Sequence, residues 1–293
     1  MRTRRTPDEL KNADSNAGRR LPFSLTLLYR RRSSAIGTSI VLIFLAIAVI
    51  GPVIAPYRAN AQQVDGAGLP PSAEHWFGTD NLGRDVFSRI VLGARDILLI
   101  AGVGTILAVI LGTSLGLLSG YRGGWLDEIL MRLFDSLLAI PALLFALLLL
   151  GVVGPSRMSI LIVIIIVYIP IVTRVVRSVV MTEKHKGYII TARLGGESTS
   201  RILFREILPA TFPALSVESS LRFTYAIFLV ASLGFLGIGV QPPNPDWGLM
   251  VNEARTYASQ TPWALFFPAA AIVILVVGVN LLSDGLRRLL DEK

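Results

Sequence analysis

Cysteine is absent from the 293 residues, histidine occurs twice, and charged residues make up only 16%. Without cysteine there is no disulfide framework, thiolate metal site or cysteine nucleophile, and the redox compartment stays open. His75 and His185 lie far apart on different segments, which argues against a transition-metal site built from protein ligands alone. No paired carboxylates or histidines converge on one expected membrane face, so no catalytic set is visible either. A soluble domain carries nearer a quarter charged residues. Here the deficit is concentrated: hydrophobic residues reach 53%, and several windows stay apolar for about 20 residues or more, enough to cross a bilayer. The chain is an integral membrane protein.

Six windows qualify as spans, at about 35–55, 97–120, 130–153, 158–180, 213–240 and 263–283. The expected architecture is all-α: a tail over 1–34 and a six-span region over 35–293. Starting from an inside N-terminus, 56–96 is an outer loop, 181–212 a cytoplasmic loop and 241–262 a second outer loop. Of the 28 Lys and Arg residues, 21 then fall on the inside: nine in the N-terminal tail, two in 121–132, seven in 174–205 and three at the C-terminus. The outer loops hold six (Arg58, Arg84, Arg89, Arg95, Arg157 and Arg255), and Arg222 lies near a boundary. This asymmetry is the positive-inside pattern. The net charge of +8 is therefore topological, and nucleic acid is not an expected partner. Both termini are expected in the cytoplasm.

Arg19-Arg20 resembles a twin-arginine signal and Ala59-Asn60-Ala61 a cleavage site, but the apolar stretch between them is too long for a signal core. Residues 35–55 therefore read as a retained span. Phe23–Tyr29 (FSLTLLY) has the character of a short amphipathic helix on the inner surface. Pro141 and Pro170 predict kinks. Gly112, Gly116 and Gly120 share one face of the second span, where another helix can approach closely or a hinge can move.

Residues 77–95, FGTDNLGRDVFSRIVLGAR, come one step from a nucleotide-binding P-loop. A P-loop needs a lysine on the phosphates, a Ser/Thr on Mg²⁺ and a preceding strand. Here Arg84 and Asp85 replace both side chains, Asp80 would repel phosphate, and the stretch faces outside. It does not bind ATP. Asp80, Arg84, Asp85 and Arg89 are spaced as in a helix, which predicts either a surface helix held by ion pairs or a docking and gate-closing element.

The cytoplasmic loop, MTEKHKGYIITARLGGESTSRILFREILPATF, has its own pattern. A helical run over about 182–194 is interrupted by Gly195-Gly196. A second begins with Ser198 as N-cap, buries Ile202, Leu203 and Ile207, and ends at Pro209. Two short helices bent at a diglycine form a knob. Lys184, Lys186, Arg193, Arg201 and Arg205 suit a partly acidic partner.

TARLGGESTSRILFREILP resembles the cytoplasmic "EAA" loop of ABC importer permeases, in which Ala-Ala-x3-Gly is followed after a gap by Leu-Pro. Thr191-Ala192 falls on the alanines, Gly196 on the glycine and Leu208-Pro209 on the Leu-Pro. The departures are Thr191 for the first alanine, Ile190 for the name-giving glutamate, and Gly187 where peptide-type relatives often have an acid. FGTDNLGRDVFSRIVLGAR, GYRGGWLDEILMRLFD (120–135), SLGFLGIGVQPPNPDWGLM (232–250) and LLSDGLRRLLD (281–291) resemble landmarks of the C-type permease subunit of dipeptide, oligopeptide and nickel importers. Together they cover roughly 20–293 in order.

The resemblance implies a six-span permease of the type-I importer fold in a bacterial inner membrane. Its implied partners are a homologous B-type permease, two cytoplasmic ATPases that bind ATP and Mg, and an extracytoplasmic binding protein. The chain itself is expected to hold no cofactor and no metal. Tyr188, Thr191, Ala192, Arg193, Gly195, Gly196, Leu208 and Pro209 would couple to the ATPase. Asp80, Arg84, Asp85, Arg89, Pro242, Asp246 and Trp247 would form an outer gate or binding-protein contact. For Trp247, Trp263 and the Pro242-Pro243 and Pro245 turn the first reading is interfacial anchoring and loop rigidity, with the outer gate or binding-protein contact as the alternative.

Thr224, Tyr225, Ser232 and Asn280 are polar groups in apolar spans that could line a pathway. Glu218 and Arg222, one turn apart at the inner end of the fifth span, read as a local ion pair ahead of a substrate contact. Asp127 and Glu128 read as a solvated loop beside Arg122 and Arg132. Di- or oligopeptides are the expected cargo, with nickel chelates, opines, glutathione-like peptides and oligosaccharides as alternatives. The rival classes are an ion-coupled secondary transporter, which usually shows ionisable groups or broken helices at midplane, and a membrane enzyme.

Overall fold

A computed structural model describes residues 32–291. The tail and the surface helix expected at Phe23–Tyr29 lie outside the described residues. The first span is α1, Arg32–Ile54, and the second is α2, Val86–Arg122. At 37 residues α2 is about 55 Å long, well beyond the apolar thickness of a bilayer. The extra length is at its start, where the Asp85 side chain caps the helix by accepting the Ser88 N–H at 2.7 Å. Residues 86–96, expected in the outer loop, thus continue the membrane helix.

The third span is not one helix. α3, Gly124–Leu138, and α4, Ala142–Val153, meet at 88° around Pro141. Twelve residues of α4 reach about 18 Å, too short to cross alone, and only the bent pair together is long and apolar enough to do so. Pro141 thus breaks its helix. Pro170, by contrast, does not interrupt its helix, because α5, Arg157–Glu183, remains helical on both sides of it.

After α5 come α6, Gly187–Leu194, and α7, Thr199–Arg201. A π-helical turn, Ile202–Ile207, then runs directly into α8, Leu208–Phe235. Pro209 therefore does not end the second run. It has no N–H to give, and its ring would crowd a carbonyl one turn back. The wider π turn absorbs both defects, with the Leu208 N–H reaching the Leu203 carbonyl. α9, Trp247–Arg255, and α10, Pro262–Asp291, complete the fold. Among the described residues the only extended pairing is an isolated bridge of Thr79 with Asp85. The described residues form an all-helical fold, with five helices long and apolar enough to cross a membrane and one bent pair that meets the same test only when its two helices are taken together.

α2 and α5 form the most extensive helix pair. A Cβ added to Gly112, Gly116 or Gly120 would lie 2.7–2.9 Å from Val172, Val176 or Val180 of α5. The three glycines therefore serve close packing, the first of their two expected roles.

Candidate functional site

At the basic pole, α6 and the π turn share a small core with the ends of α2 and α5. Ile189, Ile202, Leu203 and Ile207 pack with Leu117, Val176 and Val180. This core makes the loop a rigid extension of two membrane helices. Ala192 is half-buried against it. Tyr188, Ile190, Leu194 and Phe204 remain exposed. Gly195 and Gly196 separate α6 from α7; Gly196 has φ +78°, the left-handed region, and no atom within 4 Å of an added Cβ.

Two details differ from expectation. Ser198 stands at the N-cap position in extended conformation, but its hydroxyl makes no cap and pairs with Ser200. The basic residues are largely committed within the chain: Lys184 to the Gly120 carbonyl, Lys186 to Glu183, Arg193 over the Tyr121 ring and Arg201 to Glu197. Among the described residues only Arg205 of the five has no partner, and the loop's exposed face carries apolar side chains beside these basic ones. The Tyr188 hydroxyl donates to Glu183 at 2.7 Å. Burial, then that bond to a carboxylate, push its pKa up to about 12.

At the opposite pole, the residues around 80–89 form no surface helix. Asp80 Oδ1 accepts the N–H groups of Leu82 and Arg84 at 2.9 Å each, closing a tight turn. Asp80 Oδ2 accepts Arg84 Nε and Arg89 Nη1, both at 2.6 Å, and Glu253 of α9 receives Arg84 Nη2 at 2.6 Å. Asp85 binds His75 Nδ1 at 2.9 Å. Asp80, Arg84, Asp85 and Arg89 are all buried, so in this conformation they tie the 56–85 loop to α9 rather than meeting a partner protein directly.

Trp247 is likewise no interfacial anchor. It is fully buried, donates to the Ile90 carbonyl at 2.9 Å and packs edge-on to Phe44. Trp263 donates to the Thr79 carbonyl at 2.8 Å. Pro242 is exposed, and the Pro243 carbonyl accepts Asn60 Nδ2 at 2.8 Å.

Asp246 caps α9 through the Leu249 N–H at 2.8 Å. Burial raises its pKa from the ordinary 3.8 to about 6, partly offset by backbone N–H groups of Leu249, Val240 and Gly248 and reinforced by Asp96. A raised carboxylate pKa means the folded state binds the extra proton. Stability is therefore lost as pH rises from about 3.8 to about 6 and is level above that. The purified protein is expected to melt at a higher temperature at pH 5 than at pH 7 from this group. Asp246→Asn should flatten that difference, and an unchanged pH slope in the variant would refute it.

The third feature is a cavity of about 460 Å³ at the break of the third span, bounded by Leu138, Pro141, Leu143, Tyr168, Arg222, Tyr225 and Ser232. A second cavity of about 390 Å³ shares Leu143, Phe228 and Ser232 and continues to Gly248 and Val273. The four expected pathway residues divide here. Tyr225 and Ser232 line the cavity, whereas Thr224 donates to Asn280 at 3.1 Å and ties α8 to α10.

Arg222 Nε lies 2.7 Å from Glu218 Oε1, as the local-pair reading expects. Its depth is not as expected. Because α8 begins at Leu208, Arg222 is halfway along the helix rather than at its inner end. Asp127 also leaves the solvated loop: it holds Arg177 of α5 through two bonds of 2.6 Å.

Several site residues carried no sequence signal. Glu253 lies 164 residues from Arg89 and Tyr168 on a different span from Arg222, so only packing brings them together.

Residues 112–293 match the family described as binding-protein-dependent transport system inner membrane component. Residues 25–71 match the N-terminal TM domain of oligopeptide transport permease C. The chain is 40% identical to the dipeptide transport system permease protein DppC of Alkalihalophilus pseudofirmus over 266 residues, 91% of this chain and 88% of that one. It is 43% identical to the glutathione transport system permease protein GsiD of Pectobacterium atrosepticum over 255 residues, 86% and 84% of the two chains. The di/tripeptide transport system permease protein DppC of Pseudomonas aeruginosa is 40% identical over 263 residues, 88% and 87%.

Proposed function

The chain belongs to the family of binding-protein-dependent transport inner membrane components, and on that premise we propose that it is one permease half of an ATP-driven importer of short peptides. A homologous permease completes the pathway. Two cytoplasmic ATPases bind ATP and Mg and supply the energy, and an extracytoplasmic binding protein delivers the peptide. The peptide assignment draws support from relatives named for dipeptide, di/tripeptide and glutathione transport. Membership of an inner membrane component family supports an inner-membrane location, and the distribution of Lys and Arg supports both termini in the cytoplasm.

The observation that carries the coupling role is the loop core. Ile189, Ile202 and Ile207 are fully buried against α2 and α5, while Ile190, Leu194 and Phe204 are presented outward. An ATPase that grips the exposed side chains moves the two membrane helices with them. Closing of the ATPase pair on ATP would thus become a change of gate at the opposite pole. An ion-coupled mechanism has less support. The Glu218–Arg222 pair is already balanced within one helix, and among the described residues no other acidic or basic side chain lines the cavity.

Gly196→Arg tests the reading. The left-handed φ costs a side chain about 1–2 kcal/mol, but no atom of this chain obstructs it, so the complex should assemble. Uptake is expected to fall at least about ten-fold, equivalent to only about 1.4 kcal/mol of coupling. Gly196→Ala, with the same strain and little bulk, should retain most of it. Normal uptake by the arginine variant would remove the docking role. ATP hydrolysis by the whole complex in lipid, stimulated by binding protein loaded with short peptides but not with a nickel chelate or an oligosaccharide, checks the cargo.

A further inference from the structure

The cavity at the third span contains a cation that packing alone does not explain. Arg222 is the fifteenth residue of the 28-residue α8, and its guanidinium lies over Tyr168, the twelfth residue of the 27-residue α5. Tyr168 is midway along its span and Arg222 packs on its ring, so the charge lies well inside the membrane-spanning region, where ionisable side chains are rare and mark function. The rest of the lining is apolar apart from the hydroxyls of Tyr168, Tyr225 and Ser232.

The guanidinium is framed by two rings, with Cζ 5.6 Å from the centre of Tyr168 and 5.0 Å from that of Tyr225. Glu218 meets it only at Nε, out of alignment for a hydrogen bond. Among the described residues no acceptor reaches either terminal nitrogen. A planar fork of free N–H donors matches a carboxylate in two-point fashion, and 460 Å³ falls within the range of small-ligand sites.

We propose that this cavity receives the C-terminal carboxylate of a short peptide in transit, with Arg222 as its binding group. The inference rests on the peptide-importer reading and adds the group by which the membrane domain holds its cargo. Every linear peptide carries the same terminal carboxylate, whatever its side chains. One fixed arginine reads that invariant group while apolar walls accept variable residues. Glu218 is the positioning residue: it balances the charge from the Nε side when the site is empty, leaving the two terminal nitrogens free.

The absence of native cysteine allows a direct test in the complete complex, with binding protein, in phosphatidylcholine vesicles. Ser232→Cys puts a thiol in the cavity wall, and its rate of modification by N-ethylmaleimide is followed by the mass of this chain. Dialanine is expected to slow labelling about ten-fold more than its C-terminal amide does. Arg222→Lys should keep part of that difference. The charge-balanced pair Glu218→Gln with Arg222→Gln should abolish it without leaving a buried unpaired charge. Equal protection by acid and amide, protection that survives the double variant, or no protection would overturn the proposal. So would protection that needs phosphatidylglycerol and no peptide, since the site would then hold a lipid headgroup. Uptake is measured in the same vesicles. Peptide uptake without Arg222-dependent protection defeats this inference alone, whereas absence of peptide uptake with a loaded binding protein defeats the importer reading as well.

Discussion

Asp80→Ala is expected to destabilise the protein by about 3–5 kcal/mol, the range for removing one partner of a buried ion pair. Asp80 Oδ2 accepts from both Arg84 and Arg89, which are 5% and 4% exposed as side chains. Without it, two guanidinium groups of like charge share Glu253 alone. The same substitution removes the acceptor of two backbone N–H groups in the turn, at Leu82 and Arg84. Glu253 is 28% exposed, so water can replace much of what it offers. Glu253→Gln is therefore expected to cost only about 1 kcal/mol. Thermal unfolding of the assembled complex in lipid distinguishes the two. Comparable shifts for Asp80→Ala and Glu253→Gln would mean that the buried carboxylate does not organise this pole. Restoring part of the loss with a second change, Arg89→Leu, would identify the unpaired charge as its cause.

Gly116→Leu should be the most disruptive change on the face that joins α2 to α5. The first added carbon already falls 2.8 Å from the Thr173 carbonyl oxygen and 2.8 Å from Val176 Cβ. Overpacking a well-packed interior costs about 1–3 kcal/mol, and here the obstacle includes backbone, which cannot swing aside. Helix association in a membrane depends on this close approach, so separation of the pair is the expected result. Less intact complex should be recovered, and it should melt at a lower temperature. Gly151→Ala is the control. No atom lies within 4 Å of its added Cβ, and alanine favours the helix by up to about 1 kcal/mol. Equal melting temperatures for the two variants would show that α2 and α5 do not need the glycine face.

The two predictions differ in how far the sequence foresaw them. Glycines at four-residue spacing in an apolar run announce a helix face, because periodicity along one chain places them together without knowledge of the partner. The charges at 80, 84, 85 and 89 have helical spacing too, and there the same argument misled. Asp85 stops the helix from extending back, Asp80 closes a turn, and the balancing acid is Glu253, far along the chain. Spacing cannot report a partner that only folding supplies. Pro209 shows the same limit locally, since a π turn lets α8 continue where a proline normally marks an end.

What the sequence determined by itself was whatever depends on local composition: the membrane environment, the spans, the charge asymmetry and the place of the diglycine loop. Each arises from transfer free energies or backbone preferences summed over neighbouring residues. What the tertiary structure decided was which polar groups are committed to one another and which stay free. Thr224 and Asn280 are tied together, the lysines of the loop are tied down, and Arg222 lies halfway along α8 rather than at its inner end, its terminal nitrogens meeting no acceptor among the described residues. Those outcomes turn on distances of a few ångströms between separate helices, and the cost of an unsatisfied buried charge is felt only once the helices have met.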